Sequence, residues 1–118
     1  MKQRPETLNS ITTCVPTGYG KMYVTITELE DKPFEVFCTL GKSGSSIMAK
    51  AELTGRMVSL ALRNDIDVKE IVDQLKDIDG GNPIHWKDRL VKSIPDGVAR
   101  VLKDKYLTEG EKDEKNTV

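Results

Sequence analysis

The chain has few of the residue types that build covalent or metal-bound frameworks. Its 118 residues include only two cysteines, Cys14 and Cys38, and one histidine, His85. Two cysteines form neither a disulfide framework nor a metal cluster. One histidine leaves little for a zinc site or for a Ser-His-Asp triad. We therefore expect no bound metal, no cofactor and no enzymatic activity.

Excess charge of one sign and long apolar runs are also missing. The 18 Lys and Arg residues are balanced by 19 Asp and Glu residues, so the net charge is −1 and no overall field attracts DNA, RNA or an acidic membrane. No apolar run approaches the ~18 residues that a membrane span needs, and residues 1–5 lack the apolar core of a signal peptide. These absences predict a cytoplasmic protein that binds neither nucleic acid nor membrane.

Alternating apolar residues predict a small antiparallel sheet. Residues 21–27 and 34–40 each place every second apolar side chain on one face, and the polar turn 30–33 between them indicates a hairpin. Residues 12–15 predict one short further strand, which ends at Pro16. The outer face of this sheet is expected to carry Tyr23, Thr25, Glu35 and Thr39. Phe37 is expected in the core, with stacking on a base as the alternative.

The apolar period then becomes helical. Helices are predicted from about 46 to 63, from Asp67 onward, and after the cap formed by Ser93-Ile94-Pro95-Asp96. The second helix begins with Asp67-Val68-Lys69-Glu70, which has the form of a capping box, and its apolar pattern continues to Ile78. The fold class is therefore α+β: a hairpin plus one short strand, packed against two or three helices. One domain is expected at residues 1–107, beginning with a polar N-terminal arm. The charged tail 108–118 is expected to be disordered.

The loop between the predicted hairpin and the long helix has the composition of an anion-binding site. Its glycines let the backbone turn tightly and approach a ligand, and free N–H groups at a helix start suit phosphate. It is not a Walker A loop, because the lysine directly follows the first glycine. A Gly/Ser turn that only begins a helix remains an equally good interpretation. The candidate ligand-binding residues here are Gly41, Lys42, Ser43, Gly44, Ser45 and Ser46.

Four more residues are candidates for the same ligand. Arg56 either reaches towards the loop or is a solvated charge, and Arg4 either folds back onto a ligand or belongs to a mobile arm. Tyr19 has a ring that can stack on a base. Trp86 can cover a pocket or close a contact between subunits.

A series of segments in this chain resembles the TSCPD domain, which is best known at the C-terminal end of adenosylcobalamin-dependent ribonucleotide reductases. The resemblance covers roughly residues 4–107, and as a set the segments are specific. They are residues 4–8, 20–26, 33–37, 41–44, 55–63, 71–76 and 93–96.

The chain also departs from the family pattern. Ile94 stands where the family's Ser-Cys-Pro-Asp motif has cysteine, and Tyr19 and Ser46 stand where relatives often carry cysteine. Any thiol or metal role of those cysteines cannot operate here. The resemblance implies a free-standing version of the domain with a nucleotide-related background, without the reductase's catalytic barrel.

These observations favour a non-catalytic nucleotide-binding protein that forms a homo-oligomer, with a neighbouring subunit completing the pocket. A more specific hypothesis is sequestration of a nucleotide or cyclic-nucleotide signal in a bacterium or phage-infected cell, as phage sponge proteins do against bacterial immunity. The first alternative is an accessory or regulatory domain acting on ribonucleotide reductase. The second is a nucleotide hydrolase, which the lack of metal ligands and of a general base disfavours.

Overall fold

The computed structural model describes residues 1–41 and 44–112, and within them the chain has the predicted α+β fold. Three strands form an antiparallel sheet in the order β1-β2-β3, and two short strands form a separate hairpin. The elements are β1 (Asn9–Thr17), β2 (Gly20–Leu29), β3 (Lys32–Leu40), α1 (Ser45–Arg63), α2 (Val68–Leu75), β4 (Ile84–Trp86), β5 (Arg89–Val91), α3 (Ile94–Tyr106) and α4 (Glu109–Lys112).

The inner face of the large sheet forms the core, as the alternation predicts. Met22, Val24 and Ile26 on β2 are buried and pair with apolar residues of β3. The first strand is nine residues long rather than four, and it continues through Pro16. A proline is tolerated there because β1 is an edge strand, where the missing N–H need not remove a ladder hydrogen bond.

The outer face differs from the prediction at two positions. Phe37 is 48% exposed instead of buried, because strand alternation turns it away from the inner-facing Val36 and Cys38. Glu35 lies on this face but is buried. Its neighbour on β2, Thr27, donates a hydrogen bond of 3.0 Å to its carboxylate.

Helix α3 covers the inner face of the sheet and begins at the predicted cap. Ser93 accepts a hydrogen bond of 3.2 Å from the backbone N–H of Asp96. The Asp96 carboxylate in turn accepts from the backbone N–H groups of Asp77 at 2.7 Å and Lys92 at 2.9 Å. Ser93-Ile94-Pro95-Asp96 therefore fastens the start of α3 to the segments that precede it.

Helix α2 begins at Val68, next to the predicted cap residue Asp67. The Asp67 side chain makes no capping hydrogen bond, so the expected capping box is not formed. The helix ends at Leu75, three residues earlier than its apolar pattern suggests, and Asp77 beyond it has a positive φ of 63°.

The hairpin β4–β5 has no counterpart among the elements predicted from the sequence. Each of its strands has three residues, too short for a visible alternation. Further on, Thr108 and Glu111 make reciprocal hydrogen bonds at the single helical turn α4. Residues 113–118 of the predicted tail lie outside the described part of the chain.

Candidate functional site

A groove of about 710 Å³ lies between β3 and α1. We call it the α1–β3 groove. The helix runs antiparallel to the strand. Gly55 packs against the backbone of residues 36–38, and Arg63, later in the helix, lies over the ring of Phe34, which is earlier in the strand. Its lining includes Phe37, Thr39, Met48, Arg56, Leu60 and Arg63.

Two small residues of α1 hold the helix against the outer edge of β3. Ser59 Oγ accepts a hydrogen bond from Val36 N at 2.9 Å and donates one to Val36 O at 3.1 Å. A Cβ atom at Gly55 would lie only 2.9 Å from the same carbonyl oxygen. The helix therefore satisfies edge groups of the sheet and forms one wall of the groove.

The helix wall carries two guanidinium groups. Arg56 is largely exposed and pairs with Glu52 at 2.8 Å, one helical turn away. The Arg63 guanidinium lies 5.3 Å from the centre of the Phe34 ring and donates to Lys2 O at 3.3 Å. Arg56 is the more accessible of the two for a ligand.

The N-terminal arm folds back onto the sheet. Arg4 Nε donates to both carboxylate oxygens of Glu35, at 3.0 and 3.1 Å, which accounts for the burial of Glu35. Lys2 contacts α1 at Arg63 through a backbone hydrogen bond of 3.2 Å. Arg4 is thus engaged by Glu35 beside the groove, whose lining includes Glu35.

The start of α1 can offer backbone N–H groups to a ligand. Gly44 is the N-cap and has no side chain with which to cap the helix, and the first turn contains no acidic residue. Ser45 and Ser46 are exposed there. Such a terminus attracts anions through its free N–H groups and the helix dipole. Of the same predicted site, Lys42 and Ser43 lie outside the described residues.

Glycine is not required at position 44 by backbone geometry. Its φ is −65°, and, chain neighbours aside, no atom of the described residues lies within 4 Å of a Cβ placed there. A larger residue at position 44 would therefore not strain the backbone. A side chain at this position would still enter the space in front of the helix, where a ligand would approach.

The two remaining candidates bind other parts of the fold. Tyr19 Oη donates to Gly80 O at 3.1 Å. Lys87 Nζ lies 4.6 Å and Cζ of the buried Arg100 lies 5.0 Å from the centre of the Trp86 ring. Of the predicted ligand-binding residues that the structure describes, only Arg56 lines the α1–β3 groove.

The sequence indicates only part of the groove. For Phe37 it favours the core over a ring that stacks on a base, although the place of Phe37 in the alternation puts it on the outer face. The role of Ser59 cannot be predicted from the sequence, because nothing there distinguishes a serine that hydrogen-bonds a strand edge from any other polar residue of a helix. The groove combines an exposed aromatic ring with a guanidinium group, which suits a planar, anionic ligand.

The described residues contain neither a metal-binding cluster nor a helix that could span a membrane. Within residues 1–41 and 44–112, no group of three or more His, Cys, Asp or Glu side chains could hold a metal ion. Over the same ranges, no helix has both the length and the apolar character needed to cross a bilayer.

Comparison with known families agrees with this architecture. The TSCPD domain family model matches residues 1–106, almost the whole chain. The protein belongs to the TSCPD domain family, which is linked to ribonucleotide reductases. No curated protein and no solved structure matches the chain significantly.

Proposed function

We propose that this protein is a non-catalytic module that binds a nucleotide in the α1–β3 groove. The base would lie against Phe37, and the phosphates would extend towards Arg56 and the start of α1. The observation that carries the proposal is a groove of about 710 Å³ whose lining includes both Phe37 of β3 and Arg56 of α1. Small-molecule sites typically have volumes of about 300–1,000 Å³ and few polar groups.

The charges along α1 support an anionic ligand. The start of the helix contributes positive potential without any acidic side chain in its first turn. Arg56 adds a guanidinium about 15 Å further along, for the ten residues from Ser46 at 1.5 Å each. Only Glu52 pairs with Arg56 in the described part of the chain, and both side chains are mostly exposed, so a phosphate can replace this carboxylate.

Membership of the TSCPD family supports a nucleotide as the anion. The family is linked to enzymes that act on ribonucleotides. A module that binds tightly without turnover would act by sequestration, and a cyclic-nucleotide signal is a specific form of the proposal. Calorimetry with matched cyclic and linear nucleotides distinguishes this form from binding of ordinary nucleotides.

A second candidate function is an accessory domain of ribonucleotide reductase, which the same family link favours. In that case the purified protein would co-sediment with a reductase and change its activity, and nucleotides alone would bind weakly. Sedimentation of the mixture therefore separates the two candidates.

Calorimetry with mono-, di- and triphosphates and cyclic nucleotides tests the groove itself. Phe37→Ala should weaken binding by about tenfold, because stacking on an aromatic ring is worth about 1–3 kcal/mol per base. Tyr23→Ala is the matched control, since Tyr23 is exposed to a similar degree on the same sheet face but does not line the groove. If no nucleotide binds, or if both variants bind like the wild type, the proposal is wrong. Mass spectrometry of the recovered nucleotide should show it unchanged, and a hydrolysed product would favour the hydrolase.

A change of charge at the start of α1 tests the phosphate position. Ser46→Glu should stabilise the helix by about 0.3–1 kcal/mol through the dipole. It should also weaken nucleotide binding by about tenfold, because a charge-assisted contact worth about 1.5–3 kcal/mol is opposed. Ser46→Gln is the neutral control. Equal affinity of the two variants would mean that the phosphates do not lie at this helix start.

A further inference from the structure

The two edges of the large sheet differ in whether another element covers them. The edge of β3 is covered by α1 through Gly55 and Ser59. On the opposite edge, β1 pairs with β2 alone, and within residues 1–41 and 44–112 no other strand joins this sheet. Residues 9–12 of β1 are exposed along with Cys14. An uncovered strand edge presents backbone donors and acceptors that can pair with another chain.

Hydrogen bonding at Val36 shows which groups of β1 face outward. Val36 N and O both point away from β2, because Ser59 binds them. Its partner Ile26 must then point its backbone groups towards β1, where it pairs with Ile11. Ile11 and Thr13 therefore face β2, and the alternate residues Ser10, Thr12 and Cys14 present their N–H and C=O groups to the open edge.

The position of Pro16 agrees independently with this assignment. Pro16 has the same parity as Thr12 and Cys14, so its missing N–H falls on the open edge, where edge prolines are found. It also ends the series of outward donors. The edge available for pairing therefore runs from Ser10 to Cys14, with Thr12 at its centre.

This edge lacks the residues that usually prevent pairing. Asn9–Thr17 contains no charged side chain, and its proline lies beyond the outward donors. Edge strands of proteins that remain apart are typically blunted by lysine, by an inward charge, by a bulge or by a covering segment. β1 pairs with β2 in an unbroken register over all nine residues, so no bulge twists it away.

We infer that β1 pairs antiparallel with β1 of a second copy of this chain, with Thr12 on the two-fold axis. In this register Thr12 faces Thr12 of the other copy, and Ser10 faces Cys14. All outward backbone groups from Ser10 to Cys14 are then satisfied, and Pro16 remains outside the ladder. A second copy is the occupant because the segment is uncharged and complementary to itself under a two-fold rotation.

The resulting dimer contains one continuous six-stranded sheet. Both α1–β3 grooves lie on its far edges, so in this arrangement each groove is complete within one copy. This inference goes beyond the proposed function and does not depend on it. A dimer that binds no nucleotide would support this inference and contradict the proposed function. A monomer that binds a nucleotide would do the reverse.

Sedimentation of a charged variant tests the interface. Thr12→Lys places two like charges opposite each other at the two-fold axis, and it should raise the dimer dissociation constant by about tenfold or more. Thr39→Lys is the control, because Thr39 is an exposed threonine on the same sheet face but on the covered strand β3. Circular dichroism verifies that both variants fold. A monomeric wild type at micromolar concentration, or a Thr12→Lys dimer as stable as the control, overturns the inference.

Disulfide formation tests the register directly. In a Cys14→Ser background, Thr12→Cys should form an intermolecular disulfide on mild oxidation, since directly opposed residues of a hydrogen-bonded pair lie about 5.5 Å apart between Cα atoms. Thr39→Cys in the same background should remain monomeric on a non-reducing gel. Equal cross-linking of both variants, or none at position 12, contradicts the pairing. Leu53 is exposed on α1. If Leu53→Arg dissociates the dimer and Thr12→Lys does not, the interface lies on the outer face of α1 and the inference is wrong.

Discussion

At the scale of single residues, the two cysteines have opposite environments. Cys14 lies on the exposed outer face of β1, whereas burial raises the pKa of the Cys38 thiol to about 12. The thiolate is the reactive form, so Cys38 is both inaccessible and protonated near neutral pH. We predict that an alkylating reagent adds one label to the native protein, on Cys14, and a second only after unfolding. Peptide mass spectrometry measures this, and prompt double labelling of native protein would refute the burial of Cys38.

Tyr106 provides a pH-dependent prediction. Its hydroxyl donates a hydrogen bond of 2.6 Å to Glu28, and burial, followed by this carboxylate, raises the Tyr106 pKa well above its usual range. The unfolded chain ionises at a pKa of about 10, so this contribution to stability is complete below pH 10 and is lost as the pH rises above it.

Urea denaturation between neutral pH and pH 11 should therefore show a loss of stability in the wild type that is smaller in Tyr106→Phe. The pKa of the Cys38 thiol is also raised, so its ionisation lowers stability over the same pH range, but equally in both proteins. The difference between the two pH profiles therefore reports on Tyr106 alone. Identical pH profiles for the two proteins would show that Tyr106 ionises normally in the folded state.

The sequence predicts burial well where it follows from regular alternation along a strand, and poorly where it depends on a contact with a distant residue. Met22, Val24 and Ile26 were assigned correctly to the inner face. The burial of Glu35 could not be predicted, because it depends on Arg4, which is 31 residues away and returns to the sheet only in the folded chain. Trp86 and Tyr19 looked like ligand-binding aromatics, and only the tertiary structure shows their contacts with Arg100 and Gly80.

At the scale of elements, the contact between α1 and β3 gives a matched pair of glycine substitutions. A Cβ at Gly55 would lie 2.9 Å from the backbone oxygen of Val36, whereas one at Gly97 would meet the flexible end of Met22 at the same distance. Backbone cannot move aside as a methionine tip can. Gly55→Ala should therefore destabilise the fold by about 1–3 kcal/mol through overpacking, and Gly97→Ala by less.

Urea denaturation of both variants measures these differences in the free energy of unfolding. Gly55, in the middle of α1, gains at least as much helix propensity as Gly97 in the first turn of α3, so a larger loss of stability at Gly55 comes from the contact. A Gly55→Ala protein as stable as Gly97→Ala would mean that α1 does not approach the edge of β3 so closely.

Long elements were predicted well, and short ones were not. The helical stripe at 46–63 and the cap at Ser93 contain enough repeats and a recognisable start signal. The hairpin β4–β5 has three residues in each strand and is held by Arg100, whose guanidinium donates to Asp88 at 2.9 Å. Such a contact across 12 residues leaves no periodic trace in the sequence.

At the scale of the whole molecule, the sheet has one covered edge and one open edge, and these define two separate surfaces. Helix α1 covers β3 and forms the groove proposed for a nucleotide. The uncovered β1 supplies the edge inferred to pair with a second copy. The fold and family of the chain were predicted from its sequence, but the groove was not, because it depends on how closely α1 packs against β3.

The most direct test of the account is a nucleotide titration of the isotope-labelled protein, followed by NMR. We predict that the largest changes in amide signals occur at Ser46, Phe37 and Arg56, which lie along the groove and at the start of α1. The indole signal of Trp86 should remain unchanged, because that ring packs against Arg100 away from the groove lining. Changes concentrated at Trp86 or Tyr19, or no changes with any nucleotide, would contradict the proposed site.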